Sequence, residues 1–174
     1  MKKTLFCDKW EFSKNPIGTE YENASGWKKV ALPHDWLIWD TADLYETSTG
    51  WYRRILTHSD DGMRTFLRFE GVYMDCRVYV NGTLAGEWKY GYTTFGFDIT
   101  GLLHEGDNLI AVRVDYRSPN SRWYSGAGIF RNVWLCRFPD THILPDGIYI
   151  SANNDGTVTV SVVTVTVPSL LAEM

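Results

Sequence analysis

Hydrophobic residues in this chain recur at every second position rather than every third or fourth. In Cys76-Arg77-Val78-Tyr79-Val80 the apolar positions Cys76, Val78 and Val80 share one side of an extended strand, because successive side chains of a strand point to opposite faces. Asn81-Gly82 follows at once. That pair predicts a two-residue hairpin, since both turn positions take positive φ. Further strands are predicted over residues 65–72, 95–99, 109–115 and 132–138, the last stopped by Pro139. The polar run Glu105-Gly106-Asp107-Asn108 makes the turn before Leu109. No window of about twelve residues carries an amphipathic helical stripe. The pattern predicts an all-β chain, an antiparallel sandwich or jelly roll.

A boundary is predicted at Pro139-Asp140. Beyond it, residues 147–152 and 157–167 flank the turn Asn153-Asn154-Asp155-Gly156. This makes one hairpin, which is marginal in water by itself. Residues 1–139 are therefore read as one sandwich domain and residues 140–174 as the opening of a second, cut short. The Val- and Thr-rich edge of that hairpin is a surface for pairing with another chain, and hence for self-association.

Composition narrows the function classes. A net charge of −4 and the lack of a Lys/Arg cluster exclude a nucleic-acid footprint. No apolar run approaches membrane-spanning length. The first residues, MKKTLFCDKW, lack the apolar stretch of an export signal, which favours a cytoplasmic protein. The odd number of cysteines, Cys7, Cys76 and Cys136, has no paired spacing, so neither a disulfide framework nor a zinc site is expected. No cofactor or metal ion is called for, and no GxSxG nucleophile elbow is present. Aromatic residues make up 15% of the chain, including eight Trp. Such rings either fill a sandwich core or stack on sugar rings, and composition does not separate the two.

Several segments in order resemble family 2 glycoside hydrolases, the β-galactosidase/β-glucuronidase group. They are Leu32-Pro33-His34-Asp35-Trp36, Gly50-Trp51-Tyr52-Arg53-Arg54, Phe69-Glu70-Gly71-Val72 and Val78-Tyr79-Val80-Asn81-Gly82. The series runs on through Gly91-Tyr92, Phe97-Asp98-Ile99 and residues 108–114 to RWYSGAGIFRNVWL at residues 122–135. The resemblance implies a jelly-roll sugar-binding domain that leads an immunoglobulin-like domain and then a TIM barrel. It implies a retaining exo-β-glycosidase whose two catalytic glutamates lie on the barrel. A barrel needs about 250 residues, so no catalytic residue is assigned here and the chain is expected to be inactive alone. The implied partners are a carbohydrate, a β-galactoside or related β-glycoside, and the remainder of the parent enzyme.

Three residues are singled out as substrate-binding: Asp35, Arg122 and Trp123. The resemblance places the loop around Arg122 against the catalytic pocket. Arg122 either donates paired hydrogen bonds to sugar hydroxyls or braces the loop through an ion pair with Asp35. Asp35 either accepts from two sugar hydroxyls or caps its own turn. Trp123 and Tyr124 either stack on a sugar or pack against the barrel. His34 and Arg131 are read as structural, and Gly126 and Gly128 as positions of positive φ or close backbone approach. Arg53 and Arg54 alternate sides of a strand, so at most one faces a ligand. Two other readings stay open: a stand-alone carbohydrate-binding module, and a scaffold without sugar affinity.

Overall fold

A computed structural model describes residues 1–38, 43–120 and 126–166. Twelve strands follow one another along the chain: β1 (Lys2–Leu5), β2 (Trp10–Pro16), β3 (Lys28–Val30), β4 (Ser48–His58), β5 (Arg64–Phe69), β6 (Cys76–Val80), β7 (Thr83–Trp88), β8 (Phe95–Asp98), β9 (Gly106–Tyr116), β10 (Val133–Phe138), β11 (Thr141–Ala152) and β12 (Val158–Thr166). The described residues contain no α-helix, only two single 3-10 turns. Six strands form one sheet in the order β3-β2-β4-β9-β6-β7 and four form another in the order β1-β10-β5-β8. Every strand pair is antiparallel. The chain is the antiparallel β-sandwich that its two-residue periodicity predicts.

The inward positions are the apolar positions of the pattern. Cys76, Val78 and Val80 are fully buried, as are Ile110, Val112 and Val114 beside them on β9. Val112 lies opposite Val78 on one side and Tyr52 on the other, and Leu67, Phe69 and Val133 of the second sheet join the same core. Each such side chain contributes about 1.5–3 kcal/mol by leaving water. The hairpin at Asn81-Gly82 forms with φ of 51° and 82°, the pair of positive values that its residues suit.

Some elements differ from the sequence expectation. The strand expected over residues 65–72 ends at Phe69, where Gly71 lets the Phe130 ring come close: a Cβ there would meet it at 2.8 Å. β9 is longer than expected because Gly106, Asp107 and Asn108 pair with His58, Thr57 and Leu56. β11 begins at Thr141 rather than Gly147 and carries Pro145 in an irregularity between Ile143 and Ile148, a position where a missing N–H costs no ladder bond. β1, β2 and β3 have no counterpart in the periodicity reading. β2 buries Ser13 and Asn15 on the face opposite Trp10 and Phe12, so its polar letters hide a strand buried on both sides.

Cys7, Cys76 and Cys136 are unpaired and buried, and burial pushes the Cys76 and Cys136 thiols above their usual range. Since the thiolate is the reactive form, a polar thiol reagent should label none of the three in the native protein and all three in denaturant. Rapid labelling of any one without denaturant would contradict this packing.

Candidate functional site

One end of the sandwich is closed by two loops that the chain brings together from far apart. The turn after β3 lies against the segment before β10. The His34 N–H donates to the Ile129 carbonyl at 2.8 Å and the Trp36 N–H to the Ala127 carbonyl at 3.0 Å. Asp35 lies between these two bonds. Its Oδ1 accepts from the Leu37 N–H at 3.0 Å and from the Ala127 N–H at 3.1 Å. The first bond caps its own turn, as Asp commonly does, and the second ties the two loops together. The segment is fixed from the other side by Tyr73, whose N–H and carbonyl both pair with Gly128.

The glycines permit this approach. Gly126 has φ of 75° and Gly128 of 125°, values open to glycine and costly for other residues. A Cβ on Gly126 would stand 2.6 Å from Asp35 Oδ2, and one on Gly128 would stand 2.5 Å from both the His34 carbonyl and the Tyr52 hydroxyl. Both glycines play the part expected from the sequence.

Beneath the loops is Tyr52, completely buried. Its hydroxyl shares a 2.8 Å hydrogen bond with His34 Nδ1. Burial drives the phenol well above its usual pKa, opposed by a backbone hydrogen bond from Ile129, so it stays protonated at neutral pH. The Phe12 ring packs against His34, Trp36 and Tyr52 at centroid distances of 4.7, 5.4 and 4.8 Å. Trp36 donates from its indole N–H to Glu46 Oε1 and Ser48 Oγ. Gly50 makes room for that indole, which a Cβ would meet at 2.6 Å. Glu46 is held below its usual pKa: burial works the other way, but Lys14, Ser48 and Trp36 together outweigh it.

These contacts frame a hollow of about 460 Å³ lined by His34 and Asp35 with Val30, Pro33, Ile38 and Phe130. A mostly apolar wall with a few polar groups is the usual make-up of a small-molecule site. Asp35 thus lines the hollow while also capping its own turn. Arg122, Trp123 and Tyr124 lie outside the described residues, next to Gly126. Arg131 stacks over the adjacent Phe130 ring at 5.2 Å. Arg53 and Arg54 do face opposite ways, the former to Glu11 at 2.7 Å and the latter over the Phe6 ring at 3.5 Å. Tyr52 and Glu46 were not singled out in the sequence. Tyr52 stands inside a matching motif, but nothing in the local pattern distinguishes a tyrosine that reaches a loop from one that fills a core. Among the described residues, no group of three or more His, Cys, Asp or Glu side chains is arranged to hold a metal ion.

His34 links this geometry to pH. Burial, opposed by the attraction of Asp35, holds its pKa below the usual histidine value. The unfolded chain then binds the proton more readily than the folded one. The stability His34 contributes is present above about pH 6.5 and is lost as pH falls from there through the depressed folded value. The melting-temperature difference between the wild type and His34→Gln should therefore narrow between pH 7.5 and the acid side of that window. A difference independent of pH would contradict a neutral, half-buried His34.

The comparisons with known proteins agree with this architecture. Residues 30–139 match the family described as glycosyl hydrolases family 2, sugar binding domain. A β-galactosidase of Bacteroides ovatus is 39% identical over 142 residues, covering 74% of this chain and 17% of the relative. A β-glucuronidase of Formosa agariphila is 32% identical over 184 residues, covering 83% of this chain and 19% of the relative. The crystal structure of a β-glycosidase from Bacteroides vulgatus superposes with a TM-score of 0.81 at 30% identity, over 97% of this chain and 25% of that one. The chain thus spans a quarter or less of the length of these relatives. With the fold, the ordered motifs and the match over residues 30–139 in agreement, this chain belongs to glycosyl hydrolase family 2 and carries that family's sugar-binding domain.

Proposed function

We propose that this chain is the non-catalytic N-terminal domain of a retaining exo-β-glycosidase, a β-galactosidase by preference, and that it completes the pocket of a catalytic barrel carried elsewhere in the protein. The observation that supports this reading is the joining of residues 33–37 to residues 126–129. It fixes the Asp35 carboxylate and the His34 ring beside an open hollow, and Arg122 and Trp123 shortly precede Gly126 in the sequence. In this reading Asp35 accepts from sugar hydroxyls, Arg122 donates to them, and Trp123 offers its face to the ring.

The names of the relatives differ in the sugar they act on, and the choice of a β-galactoside rests on the resemblance of the motifs. Residues 140–174 are read as the start of an immunoglobulin-like domain. The exposed Ile150, Val158 and Val160 on β11 and β12 are the surface through which the chain would self-associate without its natural neighbour. The unpaired cysteines suit a reducing, cytoplasmic setting.

Asparagine at position 35 separates the two roles of the aspartate, because its carbonyl oxygen can still accept from Leu37 and Ala127. In the enzyme that carries this domain, Asp35→Asn should leave folding intact and lower kcat/KM on a chromogenic β-galactoside by about 10- to 100-fold, the worth of a hydrogen bond to a charged group. Arg122→Ala should act in the same direction. Unchanged kinetics in both variants would remove the pocket role. Binding of methyl β-galactoside by this chain alone, abolished by Asp35→Asn, would favour a stand-alone module instead.

A further inference from the structure

The β4 strand outruns its neighbour. Its ladder with β2 stops at Arg53, opposite Glu11, whereas its ladder with β9 continues to His58. A cleft of about 910 Å³ occupies the notch. It is lined by four cationic residues, Lys9, Lys29, Arg53 and Arg54, the two arginines from opposite faces of β4, and by two acidic ones, Asp8 and Glu11. That is a local excess of +2 on a chain whose net charge is −4. Glu11 is already engaged by Arg53.

Arg54 stands apart from the arginines that hold a carboxylate. Arg53, Arg64, Arg68, Arg77, Arg113 and Arg137 each hold a carboxylate. Among the described residues Arg54, like Arg117 and Arg131, is in no such pair. Its guanidinium lies over Phe6, and its Nε and Nη1 are buried without a hydrogen-bond partner. Burial pulls its pKa down, with only partial opposition from Asp8 and Cys7. A partly desolvated charge without a counter-ion is costly, and a buried donor left unsatisfied calls for an explanation. Nε and Nη1 are closed to solvent, so an anion in the cleft would offset the charge of Arg54, which lines it, rather than fill those two donors. Val30 and Ala31 line both this cleft and the hollow beside Asp35, so the two are neighbours across one ridge of the chain. Ile55 and Leu109 give the cleft an apolar floor that suits the C–H face of a sugar.

We propose that this cleft is a second saccharide subsite, distinct from the hollow at Asp35, which takes a sugar unit bearing an oxyanion, the carboxylate of a uronic acid or a sulfate ester. Arg54 is the counter-charge and Lys9 and Lys29 guard the mouth. The proposal rests on the reading of this domain as carbohydrate-binding. It adds the class of sugar and the place where that sugar lies.

The test is calorimetric titration of the chain with methyl β-glucuronide, galactose 6-sulfate, methyl β-galactoside and inorganic sulfate. At least one charged sugar should bind ten-fold or more tightly than the neutral one, weaken as salt is added, and raise the melting temperature. A carboxylate source shows as preference for the glucuronide and a sulfate-ester source as preference for the sulfated galactose. Arg54→Gln should weaken that binding at least ten-fold. Lys29→Gln, an exposed change on an edge strand, should weaken it several-fold and keeps the test open if Arg54→Gln fails to fold. Equal affinity for charged and neutral sugars, or wild-type affinity in the variants, would overturn the subsite. Inorganic sulfate binding as tightly as the charged sugars would overturn its saccharide character. Asp35→Asn should leave charged-sugar binding in the cleft unchanged, so failure of the Asp35 pocket and failure of this subsite give different results.

Discussion

The Tyr52 hydroxyl lies at the junction of the core and the loops, and the arrangement of the site follows from that position. Tyr52 is on the central strand β4, opposite Val112 of β9, and its ring is part of the sandwich interior. Its oxygen reaches past the core to His34 Nδ1 and stands where a side chain on Gly128 would have to go. Burying the ring contributes about as much as any core aromatic. The hydroxyl must then find a partner, because an unsatisfied buried group costs about 1–3 kcal/mol. The partner is a loop residue, so the stability of the core is spent partly on fixing the loop.

From this junction the constraints run outward. His34 is held by its ring and by its N–H to Ile129, which places Asp35 within reach of the Ala127 N–H. The carboxylate of Asp35 in turn limits residue 126 to glycine. The Gly128–Tyr73 bridge closes the far side. Four contacts thus converge on one corner, two of them between residues more than ninety apart in the chain. A site assembled this way is preorganised, and binding would not have to meet the cost of ordering its loops.

The sandwich itself was legible because burial on one face leaves a period of two in strands such as β6 and β9. β2 was not, since Ser13 and Asn15 satisfy their polar groups with local partners, Asn15 donating to Ser13. With polar residues buried on one face, only Trp10 and Phe12 on the other are left as a hydrophobic period, too short to read. At the site, Gly126 and Gly128 were readable because glycine in a motif signals close approach. Asp35 was readable as a carboxylate with two possible uses, and the structure shows the use its own turn makes of it. Tyr52 was hidden: its letter is that of a core aromatic, and its second task depends on a loop that sequence spacing does not bring near. Arg54 was hidden for the same reason, since alternation says which way it points but not that it meets no carboxylate there.

The direct test of the Tyr52 constraint is amide hydrogen exchange in Tyr52→Phe, which keeps the ring and deletes only the hydroxyl. Exchange should quicken selectively at the amides of His34, Trp36, Leu37 and Ala127, while β6 and β9 keep their protection. Unchanged exchange in those loops, with the protein otherwise folded, would show that they are held without Tyr52 and would contradict the account.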